Sequence, residues 1–335
     1  GTVGTASEDP AAPSPVATAE KGAEEQKARI MAMAAAVNAS SGNSLLADLA
    51  RERMARTGGR PRAVPARAAV REMVVYSQNM WFREDVALTA RMDCVGKFIA
   101  ERRPDVVCLQ EVTPNIHTLL RSQPWWGEYA ASREWPPLLS YYVLLLCRRS
   151  VPMAGGFSSR PFENSSQGRE IVRATLDVGG GDRLTVSTSH LESFTGRDSN
   201  GAAERVQQLA WSLEELERDG GRGDLLLAGD LNWSDKEEGK MRLRDGWVDA
   251  WTELKPGDPG YTYDAKENPM LLGGLRKRFD RLLFRGGCFR VAGAELVLKG
   301  AIPGVTMLKK LKKGDTRFPV LPSDHFGLVV TLVRD

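Results

Sequence analysis

From Glu72 onward the sequence alternates short apolar runs of strand length with longer amphipathic stretches, and this alternation constrains the fold more than any other feature. "EMVVYS" (Glu72 to Ser77), "DVVCLQ" (Asp105 to Gln110), "YYVLLLCRR" and "DLLLAG" have the length and aliphatic content of buried strands. Between the first two, "ARMDCVGKFIAER" sets Met92, Val95, Phe98 and Ile99 on one helical face. Before "DLLLAG", the stretch "GAAERVQQLAWSLEELERDG" carries Val206, Leu209, Ala210 and Leu213 at helical spacing, with a glycine as its stop. "EIVRATLDV" and "RLTVSTS" read as a hairpin around "GGGDR", and "KRFDRLLFR", "FRVAGAELVL" and "FGLVVTLV" add three strands. Hairpins mixed with helix-linked strands predict sheets packed face to face with helices outside.

This pattern occupies residues 70–335, the expected catalytic-size domain. The preceding 1–69 reads as an extension: Ala, Pro, Thr, Ser and Glu dominate to about Lys27, too few large apolar residues to offset ordering entropy. "ARIMAMAAAV" and "SLLADLARERMART" then have helix-forming composition before "GGRPRAVPARAAV" breaks it. A formal charge of +3, from 46 basic and 43 acidic residues, excludes a strong global field for nucleic acid or membrane, so any basic surface is local. No apolar run approaches the roughly 18 residues of a membrane span. The four scattered cysteines, Cys94, Cys108, Cys147 and Cys288, form no C-x-x-C pair and read as reduced core thiols. No secretory signal opens the chain, which starts without Met and reads as processed or trimmed. A soluble, intracellular protein without a membrane partner is expected.

The second regularity is positional. Several strands end in a polar residue that a core would not choose: Gln78 and Asn79, Glu111, His190, and Asp230 followed by Asn232. Asp324 and His325 stand at the threshold of the last strand. Each alone has an ordinary reading: a turn at Asn79, a cap at Glu111, an Asx turn at Asp230 and Asn232, a satisfied core histidine at His190, a capped bend after Pro322. Capping explains five coincident strand ends poorly, whereas side chains freed beyond strand ends converge on sites. Carboxylate and amide oxygens suit magnesium, which is anchored by one or two carboxylates beside a phosphate. Zinc would want a histidine or cysteine cluster, which the chain does not supply. Two histidines, two or three acids and two asparagines around magnesium describe a phosphodiester or phosphomonoester hydrolase.

In order, "SQN", "LQEV", "SHLES", "GDLN", "RFDRLLFR" and "PSDHFGLV" resemble the endonuclease/exonuclease/phosphatase superfamily from about Met73 to the end of the chain. Within it, "TSHLES", "AAERVQQL", "GYTYD" and "RFPVLPSDHFGLVVTL" most resemble the type 2 tyrosyl-DNA phosphodiesterase class. The resemblance implies a four-layer α/β sandwich of two mixed β-sheets with helices outside. It implies magnesium, with manganese as a substitute, and hydrolysis of the bond between a topoisomerase tyrosine and a DNA 5′ phosphate in break repair. Glu111 is then the main metal ligand, with Asn79 beside it in the metal and phosphate network and Asp324 acting through a water. Asp230 activates the attacking water and Asn232 holds it in line. His325 donates to the phosphate with its ring oriented by Asp280, and His190 contacts the phosphate from another side. Ser193, Trp233 and Tyr263 are assigned to substrate contact, the two aromatics by stacking on bases.

The same resemblance implies DNA 5′ ends carrying a tyrosine or peptide adduct as partners, RNA with tyrosine-linked protein as a further one, a monomer, and a nuclear place of action with a cytoplasmic alternative. Its rivals are an abasic-site endonuclease, a deadenylase, an inositol or lipid phosphatase, and a non-catalytic nucleic-acid binder. The chain departs from the class at Ser234, where an arginine is expected two residues past Asn232, at Tyr263, where a tryptophan is expected, and in the long "FTGRDSNG" segment.

Overall fold

A computed structural model describes residues 68–194, 201–221, 223–311 and 314–335, apart from the side chains of residues 310 and 311. All belong to the compact unit Ala66–Asp335. The expected extension, up to residue 67, and residues 195–200 of "FTGRDSNG" lie outside the described residues.

In chain order the elements are β1 (Glu72–Asn79), α1 (Leu88–Arg102), β2 (Val106–Val112), α2 (Pro114–Arg121), β3 (Tyr129–Ala131), β4 (Tyr142–Arg148), β5 (Ser158–Pro161), β6 (Glu170–Asp177) and β7 (Arg183–His190). There follow α3 (Ala202–Gly220), β8 (Asp224–Asp230), β9 (Trp247–Asp249), α4 (Ala250–Leu254), β10 (Tyr263–Asp264), β11 (Arg276–Lys277), β12 (Asp280–Arg285), β13 (Phe289–Val297), β14 (Thr306–Leu311), β15 (Gly314–Pro319) and β16 (Gly327–Arg334). One six-stranded sheet has the order β13-β16-β1-β2-β4-β3 and the other β5-β6-β7-β8-β12-β9. Each is mixed and is centred on a parallel pair joined by a helix: β1-α1-β2 in the first, β7-α3-β8 in the second.

Strand alternation separates the layers. In β2, Val106 and Cys108 enter the core between the sheets while Val107 and Leu109 face the helices. The inter-sheet core joins Met73, Val75, Val143 and Leu145 of one sheet to Val186, Leu226, Ala228 and Leu282 of the other. Met92, Val95 and Ile99 of α1, with Ile116 and Leu120 of α2, close the outer face of the first sheet. Leu209, Leu213 and Leu216 of α3 close that of the second over Leu225 and Leu227. The result is the four-layer sandwich. The four cysteines are free thiols, Cys108 and Cys147 buried and Cys94 and Cys288 half-buried. Among the described residues no helix is long and apolar enough to cross a membrane.

Helix α3 does not bury the face that its apolar spacing predicts. Val206 and Ala210 are exposed, whereas Arg205, Gln208 and Ser212 are buried beside Leu209 and Leu213. The reason is polar. Arg205 pairs with Glu238 and donates to Glu192 O at 2.9 Å, and Gln208 Oε1 accepts from Glu192 N at 2.9 Å. Buried polar groups must be satisfied, and these bonds tie the helix to the segment leaving β7 at His190. The hairpin β14–β15 was not anticipated from the sequence; its Met307 packs with Val86, Ala87 and Met270 in a satellite cluster.

Candidate active site

The site is the polar end of the inter-sheet layer. Residues two apart on a strand share a face, so the strands that send Val75, Val186, Ala228 and Leu282 into the core also send in Asn79, His190, Asp230 and Asp280. Register completes the row, with His190 opposite Asp230 and Asp230 opposite Asp280 across the second sheet. At Gly229 the β7 and β8 backbones meet so closely that a Cβ would lie 2.0 Å from Ser189 O, at a φ of 151°. Only glycine fits there, and it brings Asp230 beside His190. From the first sheet, Asn79 Nδ2 crosses to donate to Asp230 Oδ2 at 2.9 Å.

His325 reaches this row from the turn before β16. Gln78 Nε2 donates to its carbonyl at 3.0 Å, its N–H donates to Ser323 Oγ at 3.2 Å, and that hydroxyl donates to Asn79 O at 2.6 Å. Its Nδ1 lies 2.8 Å from Asp280 Oδ2 and its Nε2 3.9 Å from Asp230 Oδ2. Burial alone would lower the basicity of this ring, but the paired Asp280, then Asp324 and Asp230, raise it well above the ordinary histidine value. These carboxylates favour the imidazolium form.

His190 is the converse. Arg169 donates to its Nδ1 at 2.8 Å, which leaves the ring proton on Nε2, 3.5 Å from Asp230 Oδ2. Burial, the Arg169 charge and His325 hold it well below the ordinary value, so it is neutral. Burial and the neighbouring Asp280 push Asp230 up to about 6, against the pull of His325 and of the Asn79 bond. Asn232, at a φ of 49°, donates its N–H to Asp230 Oδ1 at 2.9 Å and its side-chain amide to Leu191 O at 3.1 Å.

On the other side of Asn79 lie Glu111 and Asp324. The pairing of β2 with β4 slips between Leu109 and Val112, and within this irregularity Glu111 takes a φ of 55°. Such a bulge re-aims a side chain, and Glu111 Oε2 accepts from Phe82 N at 3.0 Å. Asp324 is pushed up to about 7 by burial and by the Glu111 charge, while His325 and Arg91 pull it down. Two mutually repelling carboxylates beside the Asn79 amide form an oxygen set that a hard divalent cation would relieve. Asp230, Asp280 and His325 also bring ligand atoms within 4.8 Å of one another. That trio suits a metal less well, because an imidazolium has no lone pair to give.

The remaining expectations separate. Tyr263 stands at the rim, its ring 5.2 Å from that of His325 and 5.8 Å from Phe279. Ser193 is at the edge, its hydroxyl donating to Gln167 Oε1 at 3.0 Å. Trp233, expected as a stacking face, is a correction: it is buried in the cluster of Leu209, Leu213 and Leu227, and its Nε1 donates to Gly239 O at 3.0 Å. The apolar neighbours and that bond hold the indole in the core. Ser234 is buried, and the Lys277 ammonium donates to its hydroxyl. Four residues escaped the sequence reading. Arg169 holds His190; Phe82 stacks on Tyr141 at 5.6 Å beside it; fully buried Arg91 donates to the carbonyls of Met80, Trp81, Arg83 and Pro322. An arginine on an apolar helix face was the one available signal, and spacing alone gives it no partner.

The endonuclease/exonuclease/phosphatase family model matches residues 76–325. The Homo sapiens protein tyrosyl-DNA phosphodiesterase 2 is 32% identical over 251 residues, which span 73% of this chain and 64% of that protein. The chain thus matches less than two thirds of that relative's length. A truncated Caenorhabditis elegans TDP2 superposes with a TM-score of 0.64 at 23% identity, covering 78% of this chain and 98% of the other. A D. rerio TDP2 solved with single-strand DNA product superposes with a TM-score of 0.63 at 24% identity, with the same coverage.

Proposed function

The chain belongs to the endonuclease/exonuclease/phosphatase family, and from that premise we propose that it is a magnesium-dependent 5′-tyrosyl-DNA phosphodiesterase. The observation that carries the reading is the convergence of a charged and a neutral imidazole on one carboxylate oxygen. His325 Nε2 and His190 Nε2 lie 3.9 and 3.5 Å from Asp230 Oδ2, each ring pinned from behind by Asp280 or Arg169. A phosphate seated there meets N–H donors from two directions and a base between them. Preorganised donors of this kind act where charge grows in a phosphoryl transition state.

In this mechanism Asp230, a carboxylate above about pH 6, takes the proton of a water whose oxygen bonds to phosphorus. The bond from phosphorus to the tyrosine oxygen breaks on the opposite side. Tyrosine leaves as a phenolate, whose conjugate acid has a pKa of about 10, so solvent can return its proton without a dedicated acid. His325 and His190 neutralise the non-bridging oxygens, and Asn232 holds Asp230 in its rotamer. Glu111, Asp324 and Asn79 would hold magnesium, or manganese in its place, which when bound neutralises phosphate charge. The similarity to the human tyrosyl-DNA phosphodiesterase 2 and the DNA product in the D. rerio structure support DNA as the substrate. Repair of topoisomerase-linked breaks by a monomer, in the nucleus, belongs to the same proposal.

The test is incubation with a 5′-phosphotyrosyl oligonucleotide, with magnesium or with chelator, beside an abasic duplex, a polyadenylate, an inositol phosphate and a tyrosine-linked RNA. Release of tyrosine to leave a 5′ phosphate, lost with chelator and in Glu111→Ala, is expected. Turnover of only one of the other substrates would sink the reading, and tight DNA binding with no turnover would identify a non-catalytic binder.

A further inference from the structure

The geometry points to Lys277 as a specificity-determining residue that contacts a phosphate of the nucleic-acid strand beside the scissile one. The inference rests on the phosphodiesterase reading for the presence of a strand. Lys277 lies directly opposite Tyr263 in the β10–β11 pair, and opposed residues of an antiparallel pair project to the same face. The Tyr263 ring touches that of His325 edge-on, so the lysine springs from the aromatic lip of the site. Its ammonium ends on the facing lip, where it donates to Ser234 Oγ, two residues past the Asn232 that holds Asp230. The side chain therefore runs from beside Tyr263 to Ser234, with 24% of its surface exposed.

An ammonium carries three N–H donors. Ser234 takes one, and the Glu237 carboxylate stands 3.6 Å away, beyond hydrogen-bond length. Glu237 Oε2 correspondingly has no hydrogen-bond partner among the described residues. The Glu237 carboxylate is an ion-pair partner at that distance, and Lys277 keeps part of its surface open to solvent. Among the described residues, three other cations near the site are committed. Arg169 is bound to His190 and Gln167, Arg91 to backbone carbonyls, and Arg276 to both oxygens of Asp264 at 2.8 Å. The site interior carries the carboxyl groups of Glu111, Asp230, Asp280 and Asp324, offset in part by His325, so a cation at its edge favours a strand crossing there. Lys277 is placed to do so, and a point charge on a flexible stem suits a phosphate whose position varies with the base beside it.

The experiment compares wild type with Lys277→Met, which keeps the apolar stem, and Lys277→Arg, which keeps the charge. Turnover is read on a long 5′-phosphotyrosyl oligonucleotide and on the p-nitrophenyl ester of thymidine 5′-monophosphate, which has no strand. Binding of a 5′-phosphorylated single strand is followed by fluorescence anisotropy against salt. In Lys277→Met, KM for the oligonucleotide rises about 3- to 10-fold and the slope of log Kd against log salt flattens by about 0.7, the value for one phosphate contact on a single strand. Turnover of the nucleotide ester and Tm stay at wild-type values, and Lys277→Arg restores the slope. An unchanged salt slope, or equal losses on both substrates with a lowered Tm, would make Lys277 a structural ion-pair partner and overturn the inference. Wild-type protein that binds the strand with the Lys277-dependent slope but turns over neither ester would overturn the phosphodiesterase reading and leave the strand contact standing.

Discussion

His325 Nδ1 and Asp280 Oδ2 lie 2.8 Å apart, joining a turn before the last strand to the first residue of β12, and this pair sets the charge of the site. Asp280 is buried and has a second oxygen without a hydrogen-bond partner among the described residues, so its charge is directed at the ring. In Asp280→Asn the ring loses its largest charge partner. The alkaline limb of kcat/KM against pH, where the imidazolium deprotonates, is expected to move to lower pH, with a rate loss of about 10²–10³ at its optimum. The sign for stability follows from the raised value in the folded state: the pair stabilises fully below the unfolded histidine pKa of about 6.5 and is lost as pH rises through the folded value. A variant with an unmoved alkaline limb would remove His325 from the reaction.

Glu111 holds a φ of 55°, which costs a non-glycine residue about 1 kcal/mol. Glu111→Gly relieves that strain and the repulsion with Asp324, and loses the bond from Phe82 N. Turnover with magnesium is expected to vanish while stability in urea stays within about 1 kcal/mol of wild type. A variant that unfolds would mean that Glu111 serves structure first.

Arg91 binds carbonyls of the segment after β1 and, through Nε, Pro322 O at 3.0 Å, and so clamps the two segments that flank Asn79 and Asp324. Arg91→Met leaves those carbonyls without a donor and is expected to cost about 3 kcal/mol in chemical denaturation. Arg91→Lys should recover only part of this, because one ammonium cannot reach carbonyls on both segments. Full recovery by lysine would show that charge near Asp324 matters more than the clamp.

His117 provides a pH test away from the site. It is buried, with Nδ1 2.8 Å from the Tyr142 hydroxyl and Nε2 without a partner among the described residues. Burial, then Arg121 and Arg133, lower it to about 4. The unfolded chain takes a proton near pH 6.5 that the folded one refuses, so stability present above that pH falls by up to about 3 kcal/mol on the way to pH 4. Urea midpoints measured across that range should show a shallower slope in His117→Phe than in wild type, and parallel slopes would contradict the assignment.

The sequence by itself determined the alternation of strands and helices, the face-to-face sheets, and the polar strand ends Asn79, Glu111, His190, Asp230 and Asn232. For Asn79, His190 and Asp230 the direction is a property of local period: a two-residue alternation that buries Ala228 also points Asp230 inward, whereas Glu111 is re-aimed by the irregularity in β2. Tertiary structure alone decided what those residues are chemically. Arg169 and Asp280, 21 and 45 residues from the histidines they touch, make one ring neutral and the other charged, because protonation answers to burial and to charges across space. The same long-range satisfaction of polar groups turned α3 to bury Arg205 and Gln208 in place of Val206 and Ala210, and it brought Lys277 to Ser234. Local period says which way a side chain points; only the packed fold says what it meets there.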